Sequence, residues 1–166
     1  MTQPMLLEPP MPIELEVQRA TTAKAVPDDG QFELWAEAAL TDKPARVGLG
    51  IRIVDEQEAQ RFNRDYRNKD YATNVLSFPV ELPEGLPVDV SQSLLGDLLI
   101  CAPVVAREAG EQLRPETDHW AHLTIHGVLH LLGYDHEKAD EAVIMESLET
   151  KILAGLGISD PYQDLS

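Results

Sequence analysis

Three of the chain's five histidines fall within eleven residues, "HGVLHLLGYDH", from His126 to His136. A four-residue step on a helix puts His126 and His130 on one face, about one turn apart. Gly133 follows three residues later, where a helix can end with a residue at positive φ, and a reversal there would bring His136 back toward the other two. Such an H-x3-H-x5-H set offers three neutral nitrogen ligands and leaves a fourth position open. That is the layout of a catalytic zinc site, whereas structural sites are closed by four protein ligands. Imidazole suits zinc; nickel, copper or manganese is the alternative. A lone histidine on an apolar helix is ordinarily a hydrogen-bonded core residue, but three at this spacing around a terminating glycine are not accounted for that way.

The same spacing occurs in the metzincin protease motif H-E-x-x-H-x-x-G-x-x-H. The position that supplies the protease's general base is Gly127 here. Glycine cannot take a proton from water, so peptide hydrolysis by the usual route has lost its base. A second group of interest is "RFNRDYRNK" (61–69), with Arg61, Arg64, Arg67 and Lys69 against one acid, Asp65. It is the clearest basic cluster in the chain. Guanidinium suits phosphate oxygens through its bidentate fork. On composition alone, Arg67 reads as an ordinary surface cation.

"HGVLHLLGYDH" closely resembles the signature of the YbeY family, bacterial zinc-dependent endoribonucleases that act on single strands in ribosomal RNA maturation. "YRNKDYATNVLSFP" (66–79) is similar to the family's second signature, Y-R-x-K-D-x-P-T-N-V-L-S-F-P, and "LLGDLLI" (94–100) to its L-G-D-I segment. The segments occur in the family's order, from about Phe62 to Tyr162. Asn68 stands where many members have glycine and Ala72 where many have proline; both concern a turn rather than a chemical group. The first 50 residues carry no usable signature.

The resemblance implies that His126, His130 and His136 hold one zinc ion and that Arg67 is the functional arginine. It implies processing of 16S rRNA at its 3′ end and ribosome quality control, with single-stranded ribosomal RNA as substrate and the ribosome or its proteins as partners. DNA is not an expected ligand. Arg64, Asn74 and Ser77 are candidate substrate contacts. Asp135 either orients a ligand or caps the following helix. His119 and His122 share the face of His126 and read as hydrogen-bonded structural residues, with substrate contact as the alternative. Asp97, set between apolar strand residues, needs a partner if buried.

These residues need a frame. "IELEVQRA" (13–20), "ARVGLGIRIV" (45–54), "NVLSFPV" (74–80) and "LLGDLLIC" (94–101) read as strands. Helical spacing runs through 28–40, 55–67, about 103–113 and the almost wholly apolar stretch from Trp120 to Leu132. A last helix, about 138–154, presents Ile144, Leu148 and Ile152 at four-residue steps. "ELPEGLPVDVSQS" (81–93) is a Pro/Gly-punctuated loop. The expectation is an α+β single domain over 13–162, a sheet of about four strands packed with four to five helices, and a metal site at the end of a buried central helix. Residues 1–12, with four prolines, read as a flexible tail.

At 166 residues and 43% apolar content, the chain can bury a core without metal or disulfide staples. One cysteine, Cys101, excludes an internal disulfide and reads as a packed, inert thiol. No stretch approaches a membrane span or a signal peptide, so the protein reads as soluble and cytoplasmic. The formal charge of −16 opposes a broad nucleic-acid surface and confines any RNA contact to the 61–69 region and the metal cleft. Two other readings compete with the endoribonuclease: a non-enzymatic ribosome assembly factor whose zinc braces the fold, and a metzincin-like metallohydrolase with a peptide or small-molecule substrate.

Overall fold

Alternating apolar residues build the sheet. Four strands, β1 (Ile13–Ala20), β2 (Val47–Val54), β3 (Val75–Pro79) and β4 (Leu94–Cys101), pair in the order β1-β2-β4-β3. The first three in that order run parallel, and β3 joins the edge antiparallel to β4. The computed structural model describes residues 13–40, 47–80, 94–134 and 138–162. The proposed tail (1–12), the Pro/Gly loop (81–93), and Asp135 and His136 lie outside the described residues.

Five helices pack with the sheet among the described residues: α1 (Asp29–Ala39), α2 (Glu56–Arg67), α3 (Ala102–Glu111), α4 (Glu116–Leu131) and α5 (Ala139–Gly155). The two-residue period of the strands sorts the core. Leu49, Ile51, Ile53, Leu98 and Ile100 face α1, α4 and α5 in the larger apolar cluster. Leu99, Cys101 and Val54 point the other way, toward Ala59 of α2 and Val104 of α3. Trp120 of α4 meets Phe32 of α1 edge-to-face at 5.8 Å, a pairing worth roughly 1 kcal/mol beyond the area it buries. The frame is therefore the expected α+β domain, with α4 buried through its middle.

Two expectations need correction. The inward face of α5 is Met145, Glu149 and Leu153, all buried, while Ile144 is 59% exposed and Leu148 and Ile152 are only partly buried. A carboxylate within the buried stripe hides it from a reading based on apolar spacing. α3 stops at Glu111, and Leu113 turns into the left-handed region with φ 55°. Asp97, which would need a partner only if buried, is exposed in a recess of about 420 Å³ beside Glu16, Gln18 and Arg52 on the sheet face away from α4. No described helix is long and apolar enough to cross a membrane.

Candidate metal centre and active-site cleft

A cleft of about 650 Å³ opens where the edge strand β3 meets the ends of α2 and α4. Tyr66 and Arg67 wall one side, residues 73–79 form the floor, and His126 and His130 line the far side. Arg67 is the last residue of α2, and the helix stops there because Asn68 adopts φ 58° as its C-cap. Asparagine tolerates this left-handed position, so the turn forms without the glycine common in the family signature. The Ser77 hydroxyl donates to the Gly127 carbonyl at 3.2 Å and fastens β3 to α4. No carboxylate lines the cleft among the described residues, although the chain carries a formal charge of −16.

His126 and His130 sit one turn apart on α4, and their Nε2 atoms face each other at 3.1 Å. Two nitrogens bound to one tetrahedral zinc at about 2.0–2.1 Å lie roughly 3.3 Å apart, so this hydrogen-bonded pair needs only a small spread to share an ion. α4 then closes as the sequence suggested. Gly133 has φ 104°, its amide reaches the His130 carbonyl at 3.0 Å, and the Tyr134 amide reaches that of Leu129 at 3.0 Å. This reversal satisfies the last carbonyls of the helix directly after His130.

Behind His126 lies Glu149, fully buried on α5. Its carboxylate accepts from His126 Nδ1 at 2.6 Å, from His122 Nε2 at 2.9 Å and from the Tyr162 hydroxyl. Burial pushes the Glu149 carboxyl up, but the hydrogen bonds from His122 and His126, with the charge of His126 and the Tyr162 hydroxyl, outweigh it and hold the group at about 2. Burial conversely lowers His122 and favours its neutral form. Ligand atoms of His122, His126 and Glu149 lie within 4.8 Å of one another, so this group can hold a metal ion.

Gly127 has a structural reason to lack a side chain. A Cβ there would lie 2.7 Å from Leu98 Cδ2 and 3.1 Å from Leu98 Cδ1, where α4 crosses β4. A side chain at the position that carries a protease's glutamate would press on the Leu98 side chain and require it to shift.

The structure thus brings Arg67, His126, His130, Asn74 and Ser77 to one cleft. Asn74 and Ser77 line it with their polar atoms engaged by the frame: Asn74 Nδ2 donates to Glu108 at 3.0 Å and its Oδ1 accepts from the Val75 amide at 2.7 Å. Arg64 is not among the residues lining the cleft; it is exposed and lies 3.6 Å from Asp65. His119 is the structural residue expected, bound to Glu108 at 2.8 Å. Cys101 is buried and its thiol is pushed up to about 11 by that burial, consistent with an inert group. Glu149, Tyr162 and Tyr66 were missed. The available signal was a glutamate at the four-residue step between Met145 and Leu153.

A family model described as Endoribonuclease YbeY matches residues 16–157. The chain belongs to the YbeY endoribonuclease family. The match takes in most of β1, α1 and β2, where no motif could be read from the sequence alone. Among curated relatives, Endoribonuclease YbeY of Alkalilimnicola ehrlichii is 56% identical over 154 residues, covering 91% of this chain and 92% of that one. The Stenotrophomonas maltophilia K279a relative of the same name is 56% identical over 153 residues, covering 92% and 95%. The solution structure of TM1509 from Thermotoga maritima superposes with a TM-score of 0.51 at 22% identity, covering 90% of this chain and 100% of that one, and shows a shared fold.

Proposed function

We propose that this chain is a zinc-dependent endoribonuclease that cuts single-stranded ribosomal RNA in 16S 3′-end maturation and ribosome quality control, with ribosomal components as partners. Family membership supports RNA cleavage as the reaction. The observation that carries the mechanism is one cleft holding Arg67 on one wall and the His126–His130 nitrogen pair on the other.

His126 and His130 would hold the ion, with His136 as the third ligand expected from the motif. Zinc held there would supply a Lewis acid and ease loss of a proton from water or from an RNA 2′-hydroxyl, giving a nucleophile near neutral pH. Arg67 binds the phosphate oxygens and offsets the charge that builds on them during cleavage. Tyr66, 66% exposed at the rim and edge-on to Phe78 at 5.2 Å, offers a ring on which an unpaired base can stack. The described lining offers Arg67 and two histidines and no carboxylate, which supports access of a phosphate to this part of an otherwise acidic molecule. With Gly127 packed against Leu98, no group stands where a peptidase keeps its base.

The test is cleavage of an end-labelled single-stranded RNA by purified protein, by the same protein stripped with a chelator, and by the stripped protein resupplied with zinc. The proposal expects cutting, loss and recovery. Equal cutting by the stripped protein would overturn the metal dependence. No cutting by protein carrying stoichiometric zinc would favour an assembly factor with a structural metal.

A further inference from the structure

We infer that Glu149, held by Tyr162 and His122, is a positioning residue that locks the His126 imidazole in the tautomer with its proton on Nδ1 and turns the Nε2 lone pair toward the cleft. The assignment of Nε2 as a metal ligand rests on the function proposed above; the tautomer itself does not.

The argument begins with an anomaly in α5. Its inward stripe runs Met145, Glu149, Leu153, and the middle residue is a carboxylate with 0% exposure. A leucine there would extend the apolar face, and a buried carboxylate survives only when its oxygens are fully hydrogen-bonded. Glu149 meets that condition with three donors. Oε1 accepts from His122 Nε2 at 2.9 Å and from the Tyr162 hydroxyl, while Oε2 accepts from His126 Nδ1 at 2.6 Å. Two donors on Oε1 fix the carboxylate plane and direct Oε2 at His126.

A neutral imidazole carries one proton, so an Nδ1–H held by Glu149 leaves Nε2 as the acceptor nitrogen. That nitrogen is the one 3.1 Å from His130 Nε2, on the cleft side. Carboxylates behind ligating histidines recur because they fix the tautomer and raise ligand basicity. The alternative, Glu149 as a ligand together with His122 and His126, fits less well. Its separations of 2.6 and 2.9 Å from the two histidines are hydrogen-bond lengths, shorter than the roughly 3.3 Å between ligands of one tetrahedral zinc. Tyr162 gives the chain beyond α5 a part in this arrangement: it lies 5.4 Å from the His122 ring, edge-on, and reaches Glu149 behind it.

The experiment records imidazole ¹⁵N shifts of His126 in metal-free full-length protein, and zinc affinity by chelator competition, for wild type, Glu149→Gln and Tyr162→Phe. Wild type should show a protonated Nδ1 and a bare Nε2. Glu149→Gln should move both nitrogens toward averaged values and weaken zinc about 10- to 100-fold. Tyr162→Phe, the milder change, should shift the same nitrogens less and weaken zinc several-fold; it decides the matter alone if Glu149→Gln does not fold. Unchanged His126 shifts in a folded variant overturn the inference, and if wild type binds zinc the proposed metal site survives that result. Shifts that respond to Glu149 in a wild type that binds no zinc uphold the tautomer lock and overturn the metal reading instead.

Discussion

Two histidines on α4 are paired with carboxylates at nearly the same distance, His119 with Glu108 at 2.8 Å and His126 with Glu149 at 2.6 Å. What differs is the other ring nitrogen. His119 Nδ1 is buried and has no hydrogen-bond partner among the described residues. Glu108 also accepts from Asn74, so this pair ties α3, α4 and the start of β3 together. At His126, two turns further along, the second nitrogen faces His130 on the wall of the cleft. The same pair chemistry acts as a fastener where it is sealed and, under the proposed metal site, would act as a ligand support where one side opens.

Substitutions can break this contrast in opposite directions. His130→Ala should abolish zinc binding and lower RNA cleavage by more than the ~10–100-fold that follows loss of a supporting residue, with a melting temperature close to that of the zinc-free wild type. Metal analysis and cleavage assays on one preparation check this. Arg67→Ala should leave zinc content intact and reduce cleavage about 10²- to 10³-fold, the usual cost of removing one group that stabilises developing charge. Glu108→Ala should act on the other side of the comparison. It should destabilise by about 2 kcal/mol, lowering the melting temperature by roughly 4–8 °C in calorimetry, and leave zinc affinity within about twofold.

The acid limb of stability sharpens the same point. Burial pushes the Glu108 carboxyl up, but hydrogen bonds from His119 and Asn74 outweigh it and leave the group below its ordinary value of 4.5. Its stabilisation is therefore complete above about 4.5 and is lost as pH falls through the lower folded value. Glu108→Gln should flatten the decline of stability below pH 4.5 in denaturant titrations, relative to wild type. The smallest effect belongs to Arg64→Ala, which should stay within about 0.5 kcal/mol in stability and about twofold in cleavage, since its side chain is exposed and outside the cleft.

Much of this arrangement was legible in the chain itself. The four-residue step from His126 to His130 specified their common face, and Gly133 specified where α4 ends. Strand alternation and helical spacing located the elements to within a few residues. Glu149 was hidden because apolar periodicity treats a carboxylate as a marker of the exposed face. Its burial depends on three donors from α4 and the segment after α5, a tertiary fact. The packing of Gly127 on Leu98 is likewise invisible until α4 and β4 are brought together. Arg67 was marked by its family signature, and the end of α2 is what delivers it to the cleft.

The central claim is that a metal held by α4 histidines and an arginine from α2 act together on one phosphodiester. The most direct measurement is cleavage of a single-stranded RNA by wild type, Arg67→Ala and His130→Ala, with zinc determined on the same samples. The account predicts that His130→Ala loses zinc and cleavage together, while Arg67→Ala keeps zinc and loses cleavage. Wild-type cleavage by Arg67→Ala, or cutting by zinc-free His130→Ala, would contradict it.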